Sequence, residues 1–140
     1  MIDSFVADAS IAIGWIHAAQ ATAETTALLD AVGNGAVLEV PALWPVEVAN
    51  ALTVLMRRKK LTRQERDIGL GWLSGLALRV DHEMATLAFS RLSELAATFD
   101  LSVYDAAYLE LALRRKLILG CKDGPLRAAA RRAGVRVWSA

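Results

Sequence analysis

Four carboxylates stand out by their place in the sequence, and three of them, Asp8, Glu47 and Asp105, have no opposite charge close by to pair with. Asp8 is the only Asp, Glu, Lys or Arg between Ser4 and Ala23, with Phe5, Val6, Ile11, Ile13, Trp15 and Ile16 around it. Glu47 is the only charge from Val40 to Met56; its helical neighbours Leu43 and Ala51 offer no partner, and Asn50 lies one turn onward. Asp105 sits among Leu101, Val103, Tyr104, Ala106 and Ala107, and Asp123 stands just before Gly124-Pro125. Each has a structural explanation when taken singly. Asp8 can cap a helix from Ser10, and Asp123 one that follows Pro125. Asp105 can be the acid of a capping box opened by Ser102, and Glu47 can favour a helix dipole. Together they suggest more, because a buried charge costs several kcal/mol unless it is paired or coordinates a metal. A cluster of hard oxygen ligands suits Mg²⁺ or Mn²⁺ rather than zinc.

The elements that must position these acids are short apolar strands alternating with helices. Ser4–Ala7, Val37–Val40, Leu78–Val80, Leu117–Leu119 and Val135–Trp138 read as strands, about five in all. Helices are expected over Ile11–Ile16, Ala18–Ala31, Pro45 to about Lys59, Thr62 to about Ser74, Glu83–Thr98, Ser102–Arg115 and Leu126–Ala133. Pro45 suits a first turn, and Thr62-x-x-Glu65 has the form of a capping box. Strands separated by helices imply a mostly parallel sheet covered on both faces, in one α/β domain spanning residues 1–140. All four acids fall where helices meet the carboxyl ends of strands, the edge at which such sheets bind ligands.

Composition narrows the classes. The chain has 140 residues, 55% of them hydrophobic, with a net charge of +1. That length fits a single domain with an ample core. No uncharged run is long enough to cross a membrane. The start lacks a basic leader, and the single cysteine, Cys121, cannot make an internal disulfide, which together suit the cytoplasm. Charge is unevenly spread: residues 1–50 hold six acids and no Lys or Arg, while Arg114–Ala140 holds eight basic residues against one acid. An acidic site beside a basic track suits cation-assisted chemistry on a polyanion, although basic runs also end helices favourably.

In order along the chain, four blocks resemble the signatures of the PIN domain, and more narrowly those of the VapC toxins of bacterial toxin–antitoxin pairs. They are Val6-Ala7-Asp8-Ala9-Ser10 with Trp15, Pro45-Val46-Glu47-Val48-Ala49-Asn50-Ala51-Leu52, Tyr104-Asp105-Ala106-Ala107-Tyr108-Leu109-Glu110-Leu111-Ala112, and Asp123-Gly124-Pro125-Leu126. The resemblance covers essentially the whole chain. It implies a PIN-like α/β/α sandwich and a Mg²⁺-dependent endoribonuclease that leaves a 5′-phosphate and a 3′-hydroxyl. Asp8, Glu47, Asp105 and Asp123 would form the catalytic, metal-binding quartet, with Ser10 and Asn50 in support. A hydroxyl residue often stands two positions before the last acid; here Cys121 takes that place, and a thiol is a weak donor. The resemblance further implies a VapB-like antitoxin whose C-terminal segment lies beside the acids, an Arg or Lys displacing metal. It implies a homodimer too, for which Leu28/Leu29, Val54/Leu55 and Leu70/Trp72/Leu73 offer apolar faces.

Two other classes compete. In a flavodoxin-like phosphoacceptor module, Asp8 would bind Mg²⁺, Asp81 would accept phosphate and Lys122 would sense it. A catalytically silent PIN domain would only bind a partner. Among the remaining residues, His17 and His82 lack ligand partners at useful spacing. Trp44, beside Glu47, is a candidate for stacking on a substrate base.

Overall fold

The computed structural model describes residues 2–122 and 124–139. Asp123 lies outside the described residues. In chain order the elements are β1 (Ser4–Ala7), α1 (Ala9–Ile16), a 3₁₀ turn (Ala18–Gln20), α2 (Ala23–Gly33), β2 (Val37–Pro41), α3 (Leu43–Arg57), α4 (Arg63–Leu73) and β3 (Leu78–Asp81). There follow α5 (Met84–Leu87), a π turn (Ala88–Leu92), α6 (Ser93–Phe99), α7 (Val103–Arg115), β4 (Leu119–Gly120) and α8 (Gly124–Arg132).

The sheet is parallel with strand order β3-β2-β1-β4. Successive strand residues face opposite sides, so the burial of Phe5, Val6 and Ala7 alike means that both faces of β1 are covered. The layers can be assigned from contacts. Ala7 pairs in register with Gly120, and a Cβ on Gly120 would lie 2.5 Å from Leu28 and 3.7 Å from Ile11, placing α1 and α2 on that face. Val6 pairs with Glu39 on the other face, where Arg115 of α7 reaches the Glu39 carboxylate. The result is the expected α/β/α sandwich, with β1 at its centre.

Local chemistry sets the helix boundaries. Thr62 and Glu65 close a full capping box at the start of α4, and Thr22 and Thr25 close another at α2. The second box interrupts the expected helix over Ala18–Ala31, whose first residues instead form the 3₁₀ turn. Asp100 and Lys116 end α6 and α7 in the left-handed conformation. Because Leu117 still donates to Ala112 at the end of α7, the strand expected at Leu117–Leu119 forms only at Leu119–Gly120. The fifth strand shrinks to one parallel bridge between Val137 and Leu119, flanked by hydrogen bonds from Leu119 to Arg136 and from Trp138 to Leu119. Among the described residues, no helix is long and apolar enough to cross a membrane.

Candidate functional site

The connections after β1 lead to β2 and β3 on one side, while the chain later returns to lay β4 on the other. β1 is thus the strand at which the order reverses, and the crevice beyond its carboxyl end is the natural binding place. Asp8 is the first residue past β1. Its backbone N–H donates to Gly120 of β4 at 3.1 Å, which locks it to both strands. Its Oδ1 caps α1, accepting from the Ser10 backbone at 3.1 Å and the Ser10 hydroxyl at 2.5 Å. The cap reading of Asp8 therefore describes its geometry correctly. Ser10 Oγ in turn accepts from the Lys122 backbone at 3.3 Å, tying the loop after β4 to the same corner.

Glu47 follows β2 in the second turn of α3 and is half-buried. Asp105 lies in the first turn of α7, where its backbone N–H is capped by Ser102 Oγ at 3.0 Å. These two acids approach from different layers, since α3 packs on α1 while α7 packs on the opposite face. What joins them is Tyr108. Its ring is 1% exposed, and its hydroxyl donates to Glu47 Oε1 at 2.5 Å. Burial first, then the hydrogen bond to Glu47 and the charges of Glu47, Asp8 and Asp105, push the Tyr108 phenol far above its usual range. Glu47 on α3 is thereby tied to the helix that carries Asp105. Among the described residues, no three His, Cys, Asp or Glu side chains form a ready-made metal cage. The donor set is nonetheless all carboxylate, the chemistry that hard divalent cations prefer.

The other candidates fall as follows. Asn50 is exposed a turn beyond Glu47, and Cys121 is buried at the end of β4. Trp44 is 3% exposed and packs in the core, so it is removed from any substrate. Val46 and Tyr104, next in sequence to Glu47 and Asp105, are 67% and 60% exposed, and Tyr104 is the exposed ring beside an acid. Asp81 gives both oxygens to Arg114 at 2.9 Å, and Lys122 Nζ donates to the Gln20 carbonyl at 2.7 Å, so neither faces the other as a phosphoacceptor pair would. Of the apolar faces offered for dimerisation, Leu28 and Leu73 are core residues, whereas Trp72 and the unforeseen Ile68 are exposed. Tyr108 stands in the third sequence block with no role evident from its type alone. The available signal was its spacing three residues after Asp105, which puts both on one helical face.

No protein-family model matches the chain, and no curated protein matches its sequence. Solved structures do match its fold. VapBC2 from Rickettsia felis, bound to a DNA fragment from its promoter, aligns with TM-score 0.67 at 9% identity, over 96% of this chain and 97% of that one. FitAcB from Neisseria gonorrhoeae gives 0.62 at 14%, covering 96% of each chain. PAE2754 from Pyrobaculum aerophilum gives 0.66 at 19%, over 91% of this chain and 84% of that one. At such identities the likeness is one of fold alone: this chain shares the architecture of these three structures, the PIN-like α/β/α sandwich expected from the sequence.

Proposed function

We propose that the chain is a metal-dependent endoribonuclease acting as the toxin of a toxin–antitoxin pair. The observation that carries this reading is Asp8 at the carboxyl end of the strand where the sheet order reverses, with Glu47 of α3 hydrogen-bonded to Tyr108 on the helix that also carries Asp105. The fold likeness to VapBC2 and FitAcB supports it and favours an antitoxin as partner in the cytoplasm. Asp8, Glu47 and Asp105, with Asp123, would hold Mg²⁺ or Mn²⁺. When bound, the ion supplies an acidified attacking water and offsets negative charge on the phosphate. Ser10 fixes the Asp8 carboxylate, and the Gly120–Asp8 backbone bond fixes its base. Hydrolysis at this edge would join a water oxygen to phosphorus as the bond to O3′ breaks, leaving a 5′-phosphate and a 3′-hydroxyl whose oxygen takes up the proton the water gives up. Exposed Tyr104 and Val46 border the acids and offer apolar surface to unpaired bases. The exposed Ile68 and Trp72 side chains of α4 would serve a homodimer or the antitoxin.

The test is cleavage of single-stranded RNA by purified protein. Activity should require Mg²⁺ or Mn²⁺, stop with EDTA, and collapse in Asp8→Asn while the fold persists. Cleavage indifferent to EDTA, or an Asp8→Asn protein as active as the wild type, would overturn the proposal.

A further inference from the structure

We propose that Tyr108 is a positioning residue: its hydroxyl holds Glu47 in the rotamer that presents this carboxylate to the acids on the neighbouring layer. This rests on the reading of the acids as a metal site. Glu47 is half-exposed on a flexible side chain, which in water samples many rotamers. In the structure one of its oxygens is engaged by a hydroxyl 61 residues away, on the helix that also carries Asp105. Tyr108 itself has no freedom to follow a wandering partner. Its ring is buried in the core among the packed residues of β1, α3 and α7. A rigid donor on a mobile carboxylate sets the carboxylate. Groups that orient a metal ligand in this manner commonly change metal affinity roughly 10- to 100-fold when removed.

The chain has only two tyrosines, Tyr104 and Tyr108. Wild-type protein carrying ¹³C at tyrosine Cζ therefore gives two lines, and Mg²⁺ should move that of Tyr108, because loading Glu47 weakens the bond it accepts. In parallel, Mn²⁺ binding is measured by electron paramagnetic resonance for wild type and Tyr108→Phe, with melting curves recorded without metal. The expected result is Mn²⁺ affinity about ten-fold lower in Tyr108→Phe, at a melting point that does not account for the loss. The Mg²⁺ needed for half-maximal cleavage should rise, while the rate at saturating Mg²⁺ is largely restored. A Tyr108 line unmoved by Mg²⁺ that demonstrably binds, or Tyr108→Phe with wild-type Mn²⁺ affinity, refutes the positioning role and leaves the proposed function standing. Wild-type protein that binds no Mn²⁺ refutes both.

Discussion

Arg114 is the residue whose removal should most clearly separate stability from chemistry. Its guanidinium forks twice: to both oxygens of Asp81 at the end of β3, at 2.9 Å each, and to both oxygens of Glu110 on α7, at 2.8 and 3.0 Å. Glu110 is 6% exposed, so Arg114→Ala leaves a buried carboxylate without its cation and releases β3 from α7. Breaking a fully buried pair costs about 3–5 kcal/mol and an exposed one under about 1 kcal/mol. The Arg114 side chain is 35% exposed, so water screens part of the interaction and an intermediate loss of about 2 kcal/mol is expected. The loss should depend on pH in a stated direction. The hydrogen bonds from Arg114 hold the Asp81 pKa below its ordinary 3.8. A depressed carboxylate contributes stability above its unfolded value and loses it as pH falls through its folded value. Urea melts should therefore show the full gap between wild type and Arg114→Ala near neutrality and a narrower one below about pH 4. Cleavage per folded molecule should be unchanged, because Arg114 engages acids outside the proposed site. A variant within about 0.5 kcal/mol of wild type at pH 7 would refute the argument, since surface substitutions give as much.

Two further substitutions test the site's supports. Ser10→Ala removes the hydroxyl that bridges Asp8 and the Lys122 backbone; it should cost about 1 kcal/mol and reduce the rise in melting point on adding Mg²⁺. An undiminished Mg²⁺ effect would mean that Ser10 does nothing for Asp8 beyond capping. Gly120→Ala places a Cβ 2.5 Å from Leu28 beneath the strand that anchors Asp8; a loss of about 1–3 kcal/mol by thermal melting is expected, and a neutral result would show that Leu28 can move aside.

Much of the fold was legible because its rules are local. Thr62 with Glu65, and Ser102 before Asp105, mark helix starts by hydrogen bonds that span three residues. Where the outcome depends on distant groups, the reading drifted. Val135–Trp138 alternates like a strand, but β4 offers it only Leu119 as a bridge partner. The expected helix over Glu83–Thr98 carries a π turn at Ala88–Leu92, where Ser93 Oγ bonds the carbonyl of Ala88 at 2.7 Å. One extra residue in a turn barely disturbs the apolar period from which the helix was inferred.

The acids show the same boundary more sharply. Asp8, Glu47 and Asp105 were singled out because no opposite charge stands near them in sequence. Glu39, set among apolar neighbours in sequence, carries the same local signal. Glu39 is 4% exposed in the middle of β2, and its charge is met by Arg115, 76 residues onward, at 3.0 Å. Isolation along the chain is therefore not isolation in space. What distinguishes the proposed site is position and the kind of partner engaged. Asp81 also ends a strand, yet lies two strands from the point where the sheet order reverses, and a cationic fork occupies both its oxygens. Glu47 instead gives Oε1 to a neutral hydroxyl, which holds the carboxylate without cancelling its charge. An arginine in the place of Tyr108 would satisfy Glu47 equally well as a structural element while neutralising the charge that attracts a cation. A tyrosine keeps the carboxylate both fixed and negative, the combination that a cation-binding edge requires.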